Sequence, residues 1–247
     1  MNNSVCLMFS SGRDSFLSAC KLLDDPRGYH VYMVTYDNGC MYGLDDVQTT
    51  ADKIIQRYGS DRAKFLGVFP IIGIAREFFM PYFNMSPEEQ DKKFPGMTPS
   101  QCHCLMCRTA MYIHSILLCK ACGIPCIAEG SRKSKGFVVG LPGMAQERYL
   151  DLVKSQGLDL LMPVYDLADD WDRHNELIRR GFVNRSCELK CCVGVPINGS
   201  VDQRVIDGTH AFYDDVILPK IRNKKMLSDE TLIRSDILRH LRENGLA

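Results

Sequence analysis

An apolar run, a short polar loop and an amphipathic helix pattern follow one another without a gap near the start of this chain. Val5-Cys6-Leu7-Met8-Phe9 gives way to Ser10-Ser11-Gly12-Arg13-Asp14-Ser15, and Phe16, Leu17, Ala19, Cys20, Leu22 and Leu23 then fall at helical spacing. A continuous apolar run of this length reads as a strand buried on both faces, and the spacing after it as a helix with one apolar stripe. The unit repeats. A second strand is expected over residues 30–36, ending in the turn-forming Asp37-Asn38-Gly39. A helix follows, capped by Asp45 or Asp46 and carrying Val47, Ala51, Ile54 and Ile55 on one face; it stops near Gly59, ahead of a third strand at 64–69. Buried strands joined through helices require crossover connections, and hence a parallel sheet covered on both faces.

The alternation continues after an interruption. Residues 81–101, with Pro81, Pro87, Pro95 and Pro99 among Glu88, Glu89, Asp91, Lys92 and Lys93, are too polar for core and are expected to form a solvated excursion or lid. A helix is expected from 107 to 122, ending at Gly123. Residues 125–130 read as a strand running into a glycine turn, followed by a helix at 144–155, a strand at 158–164 and a helix at 171–181. From Val201 onward the pattern is helical. The expected fold is therefore α/β, a doubly wound and mostly parallel sheet with a C-terminal helical segment. The expected division is 1–195 as the catalytic unit, with a mid-chain cysteine insertion, and 196–247 as helices packing on or beside it.

Composition narrows the function classes. The chain has 247 residues, 30 Lys+Arg against 30 Asp+Glu, and 45% hydrophobic residues, enough apolar material for a full core. A formal net charge of zero removes any global attraction for nucleic acid, so an RNA contact would need a local basic patch. Arg179, Arg180, Lys220, Arg222, Lys224 and Lys225 are the candidates, against the plainer reading of solvated helix faces. No membrane-spanning run and no export signal stands out, so a cytoplasmic location and no membrane partner are expected. Twelve cysteines in such a chain point to metal ligands, reactive sulfurs or small buried hydrophobes more than to disulfides.

The Ser10–Ser15 loop lies where a parallel α/β protein receives a ligand, at the carboxyl end of the first strand. Small residues let the backbone approach an anion, and the helix start supplies unpaired amides and a positive dipole end. No Gly-Lys-Ser/Thr is present, which argues against a Walker-type loop. The segment instead resembles the Ser-Gly-Gly-x-Asp-Ser signature of the PP-loop ATP pyrophosphatases, with Ser11 in place of the first glycine. The resemblance extends over about residues 4–195. It implies that Ser10, Ser11, Gly12, Asp14 and Ser15 cradle the pyrophosphate of ATP, with Asp14 helping to hold Mg²⁺. It also implies that Tyr36 lies where adenine and ribose are received, and that Gly130 and Arg132, with Lys133 and Ser134 beyond, form a second phosphate or ribose loop.

Cys102-His103-Cys104-Leu105-Met106-Cys107 opens a helix and is the densest sulfur cluster. Cys104 and Cys107 are three apart and share a helix face, so they can grip one metal. A second group, Cys187, Cys191 and Cys192, can meet the first only through the fold. This arrangement is similar to the PP-loop branch that thiolates tRNA bases. There a mid-chain pair and one later cysteine hold a [4Fe–4S] cluster with an open iron. By that resemblance Cys104, Cys107 and one of Cys187, Cys191 or Cys192 are the ligands. Cys192 is favoured because it precedes Val193-Gly194. Cys102 is a candidate sulfur carrier or ligand, and His103 could instead complete a zinc site. Cys6, Cys20, Cys119, Cys122 and Cys126 read as core. The implied enzyme is an ATP-dependent sulfurtransferase releasing AMP and pyrophosphate, acting on tRNA or a small-molecule acceptor with an unnamed sulfur donor, and a homodimer is the candidate assembly. The alternatives are a zinc-binding enzyme like the 7-cyano-7-deazaguanine synthases and a non-catalytic nucleotide- or metal-binding module.

Overall fold

The computed structural model describes residues 3–132, 144–167, 169–182, 189–193, 202–233 and 241. In chain order its elements begin with β1 (Ser4–Met8), α1 (Arg13–Asp24), β2 (His30–Asp37), a short β3 (Met41–Tyr42), α2 (Asp45–Tyr58) and β4 (Ala63–Pro70). They continue with α3 (Ile72–Phe83), α4 (Pro87–Lys93), α5 (Pro99–Cys122), β5 (Cys126–Ala128), α6 (Met144–Lys154), β6 (Asp159–Leu161), α7 (Asp170–Arg179), β7 (Lys190–Cys191), α8 (Gln203–Phe212) and, after a π turn at Tyr213–Ile217, α9 (Leu218–Asn223).

The main sheet has five strands in the order β4-β2-β1-β5-β6, and every adjacent pair is parallel. This is the doubly wound α/β fold. The chain first builds outward from β1 through β2 to β4, then returns to the other side of β1 with β5 and β6. β1 is thus the topological switch point, where loops on either side part and leave a crevice. One apolar layer joins α1, α2 and α7 to the sheet through Phe16, Leu17, Val47, Ala51, Ile54 and Leu177. The other joins α3, α5 and α6 with the C-terminal helices through Phe78, Ile113, Ile116, Tyr149, Phe212 and Ile217. Each fully buried side chain of this kind stabilises by about 1.5–3 kcal/mol.

Two parts of the structure differ from the sequence pattern. Residues 81–101 are not one solvated excursion. Tyr82 and Phe94 are buried against Phe212, and only α4, with its Ser86–Glu89 capping box, is a polar helix with no buried residue. The mid-chain helix also begins earlier than its apolar periodicity. Thr98 and Gln101 form a capping box with Pro99 at the first turn, so the whole Cys102–Cys107 cluster lies inside α5. This 24-residue helix is, among the described residues, the one long and apolar enough to cross a membrane, and most of it is buried inside the fold.

Candidate functional site

The loop after β1 is a compact serine-lined turn. Ser15 Oγ donates to Gly12 O at 3.1 Å and receives the Ser10 amide at 3.1 Å, and Ser10 Oγ lies 3.2 Å from Ser15 Oγ. Ser11 adopts φ +53°, a left-handed conformation that a residue with a Cβ takes only at a cost. It is fully buried, and its hydroxyl donates to Ser10 O at 2.7 Å. The serine therefore occupies a glycine-type conformation at the position where the resembling signature has glycine. Gly12 is the N-cap of α1 and no side chain caps the helix, so first-turn amides remain to meet an anion.

Gly130 closes the crevice from the β5 side. A Cβ there would meet the backbone N of Ser15 at 2.7 Å and C of Asp14 at 2.9 Å, so the turn after β5 passes this close to α1 only because the residue is glycine. Arg132, two residues on, reaches Asp14 with Nε at 3.2 Å and Asp170 with Nη2 at 3.2 Å. Arg173 of α7 also binds both carboxylates, Asp14 through Nη1 and Asp170 through Nη2. Asp14 and Arg132 stand out in the sequence; Arg173 and Asp170 do not, their only local signal being a charged stretch at a helix start. Lys133 and Ser134 lie outside the described residues.

Tyr36 does not line the crevice. It is 4% exposed, bonds Ser115 at 2.6 Å through its hydroxyl and packs edge-on against His114 at 5.3 Å; it is a core residue of β2. Asn38, two residues on, does reach the thiols. Asn38 Nδ2 donates toward Cys107 Sγ and Cys191 Sγ, each at 3.5 Å.

The thiols sort by position. Cys104 and Cys107 lie on one side of α5, and burial pushes Cys107 up to about 12 and Cys104 to about 11. Cys191 is brought to them by β7, which pairs antiparallel with β3 in the register Met41↔Cys191. His103 Nε2 lies 3.4 Å from Cys107 Sγ and 3.9 Å from Cys191 Sγ, its ring stacked on Phe79. Burial holds this imidazole below its ordinary pKa and so neutral. Cys192, the third thiol favoured from sequence, is exposed and lies beside Cys40, to whose carbonyl its amide donates at 3.0 Å. β7 ends at Cys191, whose Sγ lies near Asn38 and His103, and Cys192 follows just beyond the strand. Cys187 and Gly194 lie outside the described residues. Cys102 is fully buried and paired with the Tyr82 hydroxyl, and burial pushes its thiol up to about 12. Its side chain thus packs into the core beside Tyr82, away from the Asn38–His103–Cys191 contacts.

Among the described residues no three His, Cys, Asp or Glu side chains stand in a metal-ligating arrangement. The donor types are nevertheless those a soft metal prefers: the His103 imidazole lies near the Cys107 and Cys191 thiols, Cys104 shares the Cys107 side of α5, and the Asn38 amide donates toward two of the sulfurs. The loop and the thiols are also directly connected, because the Leu189 amide, two residues before Cys191, donates to Ser10 O at 3.3 Å. A second connection runs through Arg108, next to Cys107, which bonds Glu129 at 2.9 Å and Ser131 at 2.7 Å on the turn that carries Gly130.

Several basic side chains considered for RNA are engaged by acids: Arg180 by Asp24 at 2.7 Å, Arg179 by Glu176 at 3.6 Å, and Lys224 by Glu77.

Fold and site together define the class: a doubly wound α/β protein with an anion-receptive β1–α1 loop at its switch point and a thiol cluster alongside. No protein-family model matches the chain, and no curated protein matches its sequence. Solved structures with a similar course include the predicted subunit of tRNA methyltransferase from Methanocaldococcus jannaschii, with TM-score 0.44 and 20% identity over 70% of this chain and 73% of that one. Another is the U34-tRNA thiolase NcsA from Methanococcus maripaludis with its [4Fe-4S] cluster, with TM-score 0.46 and 14% identity over 92% of this chain and 73% of that one. At this level of overlap neither assigns a residue or an activity.

Proposed function

We propose that this chain is a PP-loop ATP pyrophosphatase that activates a substrate oxygen by adenylylation and replaces it with sulfur. The observation that carries the reading is the Leu189–Ser10 hydrogen bond, which sets the cysteine segment directly against the loop suited to pyrophosphate. In the first step the acceptor oxygen attacks the α-phosphorus of ATP, the bond to the β-phosphate oxygen breaks, and pyrophosphate leaves. The uncapped α1 amides, Ser10, Ser15 and Arg132 bind and orient the departing charge. Asp14 keeps unused lone pairs beside its guanidinium contacts and its side chain is 30% exposed, so it can meet the Mg²⁺ that accompanies ATP. Mg²⁺ supplies charge neutralisation on the phosphates.

Cys104, Cys107 and Cys191 are the residues that would hold a [4Fe–4S] cluster. Such a centre with one open iron supplies a place for the sulfur atom that displaces AMP. Asn38 would hydrogen-bond its thiolates and orient them. The acceptor class is a tRNA base, with a small molecule as the competing class. A second reading rests on His103: its Nε2 beside Cys107 and Cys191 completes a Cys₃His zinc set, as a synthase of the deazaguanine-nitrile type would use.

Anaerobic purification followed by iron, sulfide and zinc analysis separates the two. Iron and sulfide near four per chain support the cluster. Colourless protein with stoichiometric zinc favours the second reading. ATP-dependent AMP release with a tRNA or small-molecule acceptor tests the shared first step, and nucleotide binding without turnover on any acceptor would leave only a binding module.

A further inference from the structure

We propose that Arg173 and Asp170, from α7, belong to the phosphate site: on nucleotide entry Arg132 and Arg173 exchange the carboxylates of Asp14 and Asp170 for phosphate oxygens. This deepens the reading of the β1–α1 loop as a pyrophosphate cradle and rests on it. Four side chains from three separate parts of the chain form a closed square, each guanidinium contacting both carboxylates. Within these four side chains two carboxylates face two guanidinium groups, which lets the arginines sit at 4% and 6% exposure beside an uncapped helix start.

Three features distinguish an exchangeable square from a fixed clamp. Arg132 Nη1 and Arg173 Nε are buried with no hydrogen-bond partner among the described residues, although buried polar groups are ordinarily satisfied. The cluster therefore holds spare donors, and they sit on the residue type whose planar fork matches phosphate oxygens two at a time. The four groups also differ in exposure. The Asp170 side chain is 56% exposed whereas those of Arg132 and Arg173 are 1% and 7%. Asp170 already faces water, whereas the arginines are enclosed. Finally, Asp14 lies in the first turn of α1, so guanidinium groups bound to it already stand beside the amides that would receive the anion. Phosphate oxygens replacing Asp14 as their partner release its carboxylate toward the cation carried by the nucleotide.

The test is calorimetric titration of the full-length protein with inorganic pyrophosphate without divalent cation, and separately with ATP and Mg²⁺. Wild type is compared with Asp170→Asn and Arg173→Gln, with folding checked by circular dichroism. Removing the Asp170 charge frees the guanidinium groups, so Asp170→Asn should bind pyrophosphate more tightly by roughly fivefold, the fold-change of one partly exposed ion pair. Arg173→Gln should weaken it by roughly tenfold or more. Wild-type binding with Asp170→Asn unchanged or weaker overturns the exchange and leaves the nucleotide reading standing. Failure of wild type to bind either ligand overturns both. Asp170→Asn alters an exposed side chain, so its result decides the proposal even where Arg173→Gln does not fold.

Discussion

Ser11 holds φ +53° in a loop where glycine would be unstrained. Glycine there removes the steric cost but loses the hydroxyl bond to Ser10 and adds freedom to the unfolded chain, so Ser11→Gly should stay within about 1 kcal/mol of wild type in urea unfolding. Ser11→Val puts a β-branched residue at positive φ and should lose about 2 kcal/mol or more; equal losses for both variants would contradict the backbone argument. The cysteines give a second test at this scale. Cys104→Ser, Cys107→Ser and Cys191→Ser should each lower bound iron or zinc per chain, whereas Cys192→Ser and Cys102→Ala should retain it. Cys102→Ala should cost about 1 kcal/mol as a small core deletion. Metal lost from Cys192→Ser and kept by Cys191→Ser would reverse the assignment that the β7 register suggests.

Element boundaries around the site depend on close approach. The β5 turn rests on α1 through Gly130, and an added Cβ collides with backbone rather than with a side chain that can rotate away. Gly130→Ala should therefore cost about 1–3 kcal/mol as overpacking and weaken pyrophosphate binding by displacing the Asp14–Ser15 turn. Gly73, in α3, is the control: nothing lies within 4 Å of the place a Cβ would take and its φ is ordinary, so Gly73→Ala should be neutral or stabilise by up to about 1 kcal/mol. Urea unfolding of the pair checks both signs. Some of this level was legible locally. The β1–loop–α1 unit, the β2 turn and the cysteine helix follow from periodicity and turn chemistry. The anchoring of residues 81–101 was not, because Phe94 and Tyr82 are buried by Phe212, which arrives more than a hundred residues later.

For the whole molecule, the α5 layer imposes a pH dependence. His114 is buried between Phe69 and Tyr36, and burial lowers its pKa from 6.5 to about 4. The unfolded chain takes up this proton near its ordinary value while the folded chain refuses it. Stability from this group is therefore complete above about pH 6.5 and declines as pH falls toward 4, by at most about 1.4 kcal/mol per pH unit. Replacement by Gln, which does not titrate, should flatten the dependence in that window; an unchanged slope would show that other groups set it.

The chain's own pattern determined that β1 runs into an anion-receptive turn, that the sheet is parallel, and that Cys104 and Cys107 share a helix face. These are consequences of spacing over a few residues, which local geometry converts directly into structure. Tertiary structure alone decided that Cys191 rather than Cys192 lies by Asn38 and His103, because pairing with β3 places Cys191 there while Cys192, just past the end of β7, is exposed. It also decided that Arg173, 159 residues beyond Asp14, completes the charge around the loop. Sequence spacing carries no information about side chains that meet only when separate elements close on one switch point.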